Sequence, residues 1–377
     1  MTSAGSQYEG AFAEESPSAF SPDAQEGTRE LTRAECRAVV AQGARFAKHA
    51  GGIWLLIAGK LTSDNDVVGT DSRLRDVLRG VFGYPGVDGP EPHLGINLLL
   101  DSPGGSLDSA YAMALYLSAY TNHLRVFVPG QAKSASTLLA LGGEELHLSA
   151  FGELGPLDTQ VHDPRNPANR VSALDCFQSV DYVRRFGRNT MDDLVNGLIL
   201  TTQRKIAADV LLDKASGFAL GAVQPMLASV GALDFGGWGR SLMIGEHYTR
   251  KLLADKSAEP DMERIKTIAN QLVYGYTHHL FPIDVHEARR IGLPDVGLAV
   301  KFMDGDTYKR ADRVIQSCRG RSYIGFLSKR EQRREKKSAD VARRRTGGPR
   351  RPSDVPALSD RRPQRTDRAQ GMAFPWY

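Results

Sequence analysis

Three short apolar runs constrain the fold of this chain more than any other feature. Ile53–Ile57, Ile96–Leu100 and Leu124–Val128 each have the length of a buried strand, and a helical pattern follows each of them. Alternating strands and helices favour a mostly parallel sheet with right-handed crossovers, in which the carboxyl ends of the strands share one edge. The sequence therefore predicts an α/β fold with its ligand site at that edge.

Two segments of small residues leave predicted strands at this edge. Ser102-Pro-Gly-Gly105 follows the second run, and Ser134-Ala-Ser-Thr137 opens an apolar helix after the third. Glycine lets backbone N–H groups approach a ligand closely, and a serine beside such donors has what acyl transfer requires. We predict an active site with Ser134 as the nucleophile. Ser136 is an alternative nucleophile, and a helix-capping role is the competing interpretation of Ser134.

These segments resemble the Clp protease and crotonase superfamily, most closely the serine dehydrogenase proteinase family, which is related to signal peptide peptidase A and NfeD-type serine proteases. The resemblance covers most of residues 53–297 and includes Glu153-Leu-Gly-Pro-Leu-Asp158 and a closing segment from Ile283 to Leu293. It implies a Clp/crotonase-like core with an added helical region over residues 171–275. It also implies a serine peptidase that cleaves peptides or proteins without ATP.

The resemblance carries over to the oxyanion hole but not to the general base. Position by position, it assigns the oxyanion hole to the backbone N–H groups of Gly105 and Ala135. The histidine of Clp proteases falls near Leu157, where this chain has none. Signal peptide peptidases use a lysine on a later helix, and the first lysine after Lys133 is Lys205. We therefore predict Lys205 as the base.

Four more residues are candidates for proton transfer. Lys214 is the next lysine along the chain. Asp158 and His162 lie close to the expected place of the base, and His279 matches a histidine of the serine dehydrogenase proteinase family. The chain has no zinc-type Cys/His spacing, no phosphate-binding loop and no dinucleotide fingerprint, so we infer neither a metal nor a nucleotide cofactor.

The composition divides the chain of 377 residues into three zones. Residues 1–28 form an acidic arm that we expect to be disordered, residues 29–328 form the catalytic domain, and residues 329–377 form a disordered basic tail. The tail has ten Lys and Arg residues between positions 330 and 351 and little apolar content. Such a tail binds nucleic acid or acidic partners weakly and in a salt-dependent way, or simply keeps the chain in solution.

Cysteine usage and apolar runs indicate the compartment. Cys36, Cys176 and Cys318 are far apart and odd in number, which favours a reducing environment over a disulfide framework. No run has the pattern of a signal peptide or the length of a membrane span, so we expect a cytoplasmic protein. Amphipathic helices over residues 171–275 predict a homo-oligomer. A catalytically inactive Clp-like scaffold and a binder of nucleic acid or acidic partners are the alternatives to the peptidase.

Overall fold

A computed structural model describes residues 31–62, 69–85, 95–163, 166–203, 205–228, 230–318 and 320–328. The predicted arm, 1–28, and tail, 329–377, lie outside these residues, so the predicted domain boundaries stay predictions. The helices are α1 (Arg33–Ala50), α2 (Thr70–Phe82), α3 (Leu107–Ser118), α4 (Ala135–Leu141), α5 (Ala173–Thr201), α6 (Ala208–Leu227), α7 (Ala232–Ala254), α8 (Met262–Tyr274), α9 (Val285–Arg290) and α10 (Gly305–Cys318). The strands are β1 (Ile53–Ala58), β2 (Ile96–Asp101), β3 (Leu124–Val128), β4 (Gln131–Ala132), β5 (Glu145–Leu148), β6 (Glu153–Leu154), β7 (Gln160–Asp163), β8 (Asn166–Ser172), β9 (Ala299–Phe302) and β10 (Tyr323–Phe326).

The central sheet confirms the predicted α/β fold. Its strand order is β10-β1-β2-β3-β5-β9, and every neighbouring pair is parallel except β10 with β1. The three apolar runs form β1, β2 and β3, which are three of the four inner strands. Inner parallel strands are covered on both faces, which explains why β1 is apolar throughout, whereas β3 alternates and has a half-buried Arg125 between buried Leu124 and Val126.

Alternate residues of β1 face two different cores. Leu55 and Ile57 pack in the main core with helices α2, α3, α4, α7 and α8. Trp54 and Leu56 pack in a second core with α1 and α10. This period of two places helices on both sides of the sheet and leaves the carboxyl ends of the strands for the loops that carry the candidate site.

The predicted helical region, residues 171–275, contains several helices with short breaks between them. Helix α5 ends at Thr201 and α6 begins at Ala208. Gln203 has φ 51°, and this left-handed conformation stops the helix although no Gly or Pro marks the break. Among the described helices, none is by itself long and apolar enough to cross a bilayer; only α6 and α7, bent by 74° at their junction, reach that length and apolarity together.

Candidate active site

A row of short strand pairs crosses the sheet edge at which β2 and β3 end. Ser102 pairs with Ala132 of β4, β4 pairs with β6, and Leu154 of β6 pairs with Ile283. The first two pairs are parallel and the last is antiparallel. The residues after Ala132, the residues after Leu154 and the residues before Ile283 therefore leave this row at the same end. Ser134, Asp158 and His279 lie on the three segments that leave the row at this end.

Asp101 connects the end of β2 to the row of short strand pairs, at the start of the Ser-Pro-Gly-Gly turn. Its side chain accepts a hydrogen bond from the backbone N–H of Gln131 at 3.3 Å, which ties the end of β2 to β4. Burial raises the pKa of Asp101, and the Gln131 hydrogen bond opposes part of that rise. The role of Asp101 is to fix the turn at its origin.

Ser134 lies in a strained turn immediately before α4. Its φ is 50° and its ψ is −122°, and among the described non-glycine residues only Gln203 shares a positive φ. Such a conformation costs about 1–3 kcal/mol, and strained residues of this kind cluster at functional sites. The Ser134 side chain makes no capping hydrogen bond to α4. The geometry therefore disfavours the capping interpretation and leaves the hydroxyl available for chemistry.

Ser136, the alternative nucleophile, has a structural position instead. It is completely buried, and its Oγ lies 2.6 Å from Lys133 O and 2.9 Å from Ser102 O. A hydroxyl that donates to the main chain inside the core has no access to a substrate. Ser136 thus helps to fix the shape of the Ser134 turn.

The Ser-Pro-Gly-Gly turn packs directly against this serine. Gly104 has φ 103°, and a Cβ on it would lie 2.9 Å from Ser134 Cβ. Gly105 has φ 146°, and a Cβ there would lie 1.9 Å from Leu61 O. Both glycines are therefore required, because no side chain fits in the space that brings the turn to Ser134.

Two backbone donors flank the serine without partners of their own. Within the described residues, the N–H groups of Gly105 and Ala135 make no hydrogen bond, whereas the neighbouring Gly104 N–H donates to Ser102 Oγ at 3.1 Å. The Ala135 N–H belongs to the first turn of α4, where helix geometry supplies no acceptor. Unpaired donors beside a serine hydroxyl have the composition of an oxyanion hole.

Asp158 and His279 form a buried acid–histidine pair at the same end of the row. Asp158 is 2% exposed, its Oδ1 accepts from Leu174 N at 3.1 Å, and its Oδ2 lies 3.5 Å from His279 Nδ1. Among the described residues, His279 Nδ1 is the one buried side-chain nitrogen or oxygen without a hydrogen-bond partner. Unpaired buried polar atoms are rare in native structures, and a catalytic role is one of their explanations.

The loop that carries His279 is fixed on both sides. Before it, the Tyr276 hydroxyl donates to Glu287 Oε1 at 2.7 Å, and the Tyr276 ring stacks on Phe281 with centroids 4.6 Å apart. Burial and the neighbouring Glu287 raise the pKa of Tyr276, so its hydroxyl stays protonated and continues to donate. After His279, Leu280 O accepts from Lys133 Nζ at 3.4 Å. This hydrogen bond ties the loop that carries His279 to the side chain of the residue that precedes Ser134.

The structure does not bring Lys205, the predicted base, to Ser134. Helix α5 begins beside Asp158, because Leu174 N donates to that carboxylate, and Lys205 lies beyond the other end of this helix. The 29 residues of α5 span about 43 Å at 1.5 Å per residue. Lys205 is also exposed.

His162 and Lys214, which the sequence also offers for proton transfer, lie in exposed positions. His162 is an exposed residue of β7, where it pairs with Arg170 of β8 in a separate two-stranded hairpin. Lys214 is exposed on α6 and lies 3.4 Å from Asp213. Of the sequence candidates for proton transfer, only Asp158 and His279 are thus brought to the row that carries Ser134. The described residues contain no group of three His, Cys, Asp or Glu side chains that could hold a metal ion.

The comparison with protein families agrees with this geometry. Residues 87–211 match the Clp protease family. The matched range contains the Ser-Pro-Gly-Gly turn, Ser134 and Asp158, but it ends before His279. The family match therefore includes the candidate nucleophile segment and the candidate oxyanion donors and does not reach the histidine.

Two curated proteins of Methanocaldococcus jannaschii are similar to this chain. The uncharacterized protein MJ0137 is 28% identical over 252 residues, which cover 67% of this chain and 68% of that protein. The uncharacterized protein MJ1495 is 23% identical over 198 residues, which cover 52% of this chain and 51% of that protein. Their similarity extends over a longer stretch than the family match, and neither name states an activity.

Proposed function

We propose that this chain is a serine peptidase of the Clp-like type that works through an acyl-enzyme on Ser134. One observation carries the proposal: Ser134 lies in a strained turn beside two N–H groups, those of Gly105 and Ala135, that have no hydrogen-bond partner among the described residues. The match to the Clp protease family supports peptides or proteins as substrates. The finer relationship to the serine dehydrogenase proteinase family belongs to the same proposal.

In this mechanism each group has one task. Ser134 Oγ attacks the peptide carbonyl, and its proton passes to the His279 ring. The Gly105 and Ala135 N–H groups bind the oxyanion that forms. The tetrahedral intermediate then expels the amine, which takes the proton from His279, and leaves an ester on Ser134. Water hydrolyses this ester by the same two steps, and the products are a carboxylic acid and free Ser134.

In the proposal, His279 takes the role of general base that the sequence predicts for Lys205, and Asp158 is its partner. An ionised carboxylate next to a histidine orients its ring and stabilises the imidazolium that forms. The 3.5 Å separation of the Asp158 and His279 atoms is longer than a hydrogen bond, and catalytic hydrogen bonds are often long without substrate. The full arrangement would then be a serine, histidine and aspartate whose order along the chain is Ser134, Asp158, His279.

The test is covalent labelling with a fluorescent fluorophosphonate, combined with hydrolysis of fluorescein-labelled casein. We expect the wild-type chain to be labelled and to release peptides. Ser134→Ala should lose both activities and stay folded, because its hydroxyl makes no capping bond whose loss would destabilise α4. Ser136→Ala, which tests the alternative nucleophile, should still be labelled. Absence of labelling and hydrolysis in the wild-type chain would favour the catalytically inactive scaffold.

We also propose that the chain acts as a homo-oligomer. Helix α6 has no charged residue after Lys214, and apolar side chains on its outer face, such as Leu220 at 67% exposure, are open to solvent. Exposed apolar surface of this kind marks an interaction site in most proteins. The basic tail as a site for nucleic acid or acidic partners is the second candidate function, and it concerns residues outside the described part of the chain.

A further inference from the structure

Lys133, the residue before Ser134, has an almost completely buried ammonium group. Its side chain is 8% exposed, and Nζ lies 2.7 Å from Glu153 Oε1. Nζ also donates to Leu154 O at 3.3 Å and to Leu280 O at 3.4 Å. An ammonium has three protons, so these three acceptors match its donors one for one.

The acceptors belong to the two segments that carry the proposed proton-transfer pair. Glu153 and Leu154 form β6, which leads to Asp158, and Leu280 directly follows His279. Lys133 itself is joined by a peptide bond to Ser134. One side chain therefore links the nucleophile segment to both of the others.

Stability alone is a poor explanation for a lysine at this position. The stem lies against Gly155, where a Cβ would be 2.7 Å from Lys133 Cδ, so the site is built around the length of this side chain. Moving an ammonium out of water costs several kcal/mol, and an apolar side chain of similar volume often gives equal or greater stability. What the ammonium adds is direction, because it fixes three acceptors at defined distances.

We infer that Lys133 is a positioning residue that holds Ser134 in register with Asp158 and His279. The inference rests on the proposed function, since it assigns these residues their roles. Lys133 does not touch the substrate, and its ammonium stays bound to Glu153, Leu154 and Leu280 throughout the reaction. Its loss would let the three segments drift apart, and a displacement of about 1 Å at reacting groups costs on the order of a hundredfold in rate.

The test compares Lys133→Met with a matched control, Lys256→Met. Lys256 is a second lysine with a desolvated ammonium, and it donates to Gly143 O at the amino end of β5, the opposite edge of the sheet. Phosphonylation of Ser134 by a fluorophosphonate is measured as kinact and KI, at a temperature where circular dichroism shows all proteins folded. We expect Lys133→Met to lower kinact about a hundredfold with KI changed less than about twofold, and Lys256→Met to leave both near wild type. Equal effects of the two Met variants would overturn the inference.

A second pair of variants keeps the test valid if Lys133→Met does not fold. The Glu153 side chain is 34% exposed, so replacing it is tolerated better than replacing Lys133. Glu153→Ala removes the strongest acceptor and should lower kinact about tenfold, whereas Glu153→Gln keeps an oxygen for Nζ and should restore most of the rate. Wild-type kinact in Glu153→Ala would refute the positioning role. A wild-type chain that is not labelled at all would instead refute the proposed function.

Discussion

Gly104 and Ser134 are so close that a single methyl group does not fit between them. A Cβ on Gly104 would lie 2.9 Å from Ser134 Cβ and 2.7 Å from Lys133 O. The contact joins the turn that offers the Gly105 N–H to the turn that offers the hydroxyl. The two halves of the candidate oxyanion site thus depend on one glycine for their spacing.

Gly104→Ala should therefore separate the two turns. We expect fluorophosphonate labelling of Ser134 to slow about a hundredfold, because both the contact and the φ of 103° oppose a side chain. Gly51→Ala is the matched control: Gly51 also has a positive φ, 69°, but a Cβ there would meet nothing within 4 Å. The control should lose only the stability that the positive φ costs, and it should keep the wild-type labelling rate. Equal labelling rates in the two variants would show that the spacing of the turns is unimportant.

Replacement of the proposed base should separate proton transfer from binding. His279→Ala should lower kcat for peptide hydrolysis by about 10²–10⁴-fold with little change in KM, because the loss is in proton transfer. Asp158→Asn keeps the size of the side chain and removes the charge that orients the ring, so it should also lower kcat. Steady-state kinetics on His162→Ala and Lys205→Ala supply the controls, and both should match wild type. A larger loss in Lys205→Ala than in His279→Ala would restore the lysine as the base.

Local patterns in the sequence predict the strands that border the candidate site and the two turns that follow them. The runs that became β1, β2 and β3 are locally apolar, and the Ser102–Gly105 and Ser134 turns follow their strands directly. Their meeting at one edge follows from parallel strand order alone. The Ser134 segment and the Ser102–Gly105 turn could therefore be placed together without coordinates.

The proposed base, His279, has no local pattern of this kind and is a sequence candidate only through the resemblance to the serine dehydrogenase proteinase family. His279 reaches the site through the pairing of Leu154 with Ile283, and no local pattern in the sequence encodes a pairing between segments so far apart. The sequence predicts Lys205 as the base because it is the first lysine after Lys133, but the length of α5 places it far from Asp158. The role proposed for Lys133 has no local sequence signal either, since its three acceptors come from two distant segments.

Removal of the tail tests the predicted domain boundary. A chain that ends at Ser328 keeps every described residue and the whole candidate site. We expect it to hydrolyse casein at the wild-type rate and to lose any salt-dependent binding to a polyanion such as heparin, because the tail carries the clustered arginines. Casein hydrolysis and heparin retention are measured on the same preparations. Lost hydrolysis in the truncated chain would mean that the catalytic unit extends past residue 328.

The outer face of α6 tests the proposed assembly. Leu212, Leu220 and Leu227 recur about every second turn of this helix, so they share one face, and they are 52%, 67% and 39% exposed. We expect light scattering at micromolar concentration to show an oligomer for wild type and a smaller species for the double variant Leu220→Glu, Leu227→Glu. Lys214→Glu changes the net charge by the same amount on a different face and should leave the mass unchanged. A monomeric wild-type chain would contradict the proposal.

Lys256 predicts how stability depends on pH. Burial lowers the pKa of this lysine from 10.5 to about 8, against the opposing pull of Glu144 and Asp255. Between these two values the unfolded chain binds a proton that the folded chain does not, so the free energy of unfolding rises with pH. The Lys256 contribution to this free energy should increase by about 2 kcal/mol from pH 7 to pH 9.5.

Urea denaturation of wild type and Lys256→Met at both pH values isolates this contribution. The methionine variant lacks the titrating group. The free energy of unfolding of wild type relative to that of Lys256→Met should therefore increase as the pH rises. All other groups titrate in both proteins and cancel in that difference. The same difference at pH 7 and pH 9.5 would mean that the Lys256 ammonium keeps its ordinary pKa and that Gly143 O, with Glu144 and Asp255, fully compensates its burial.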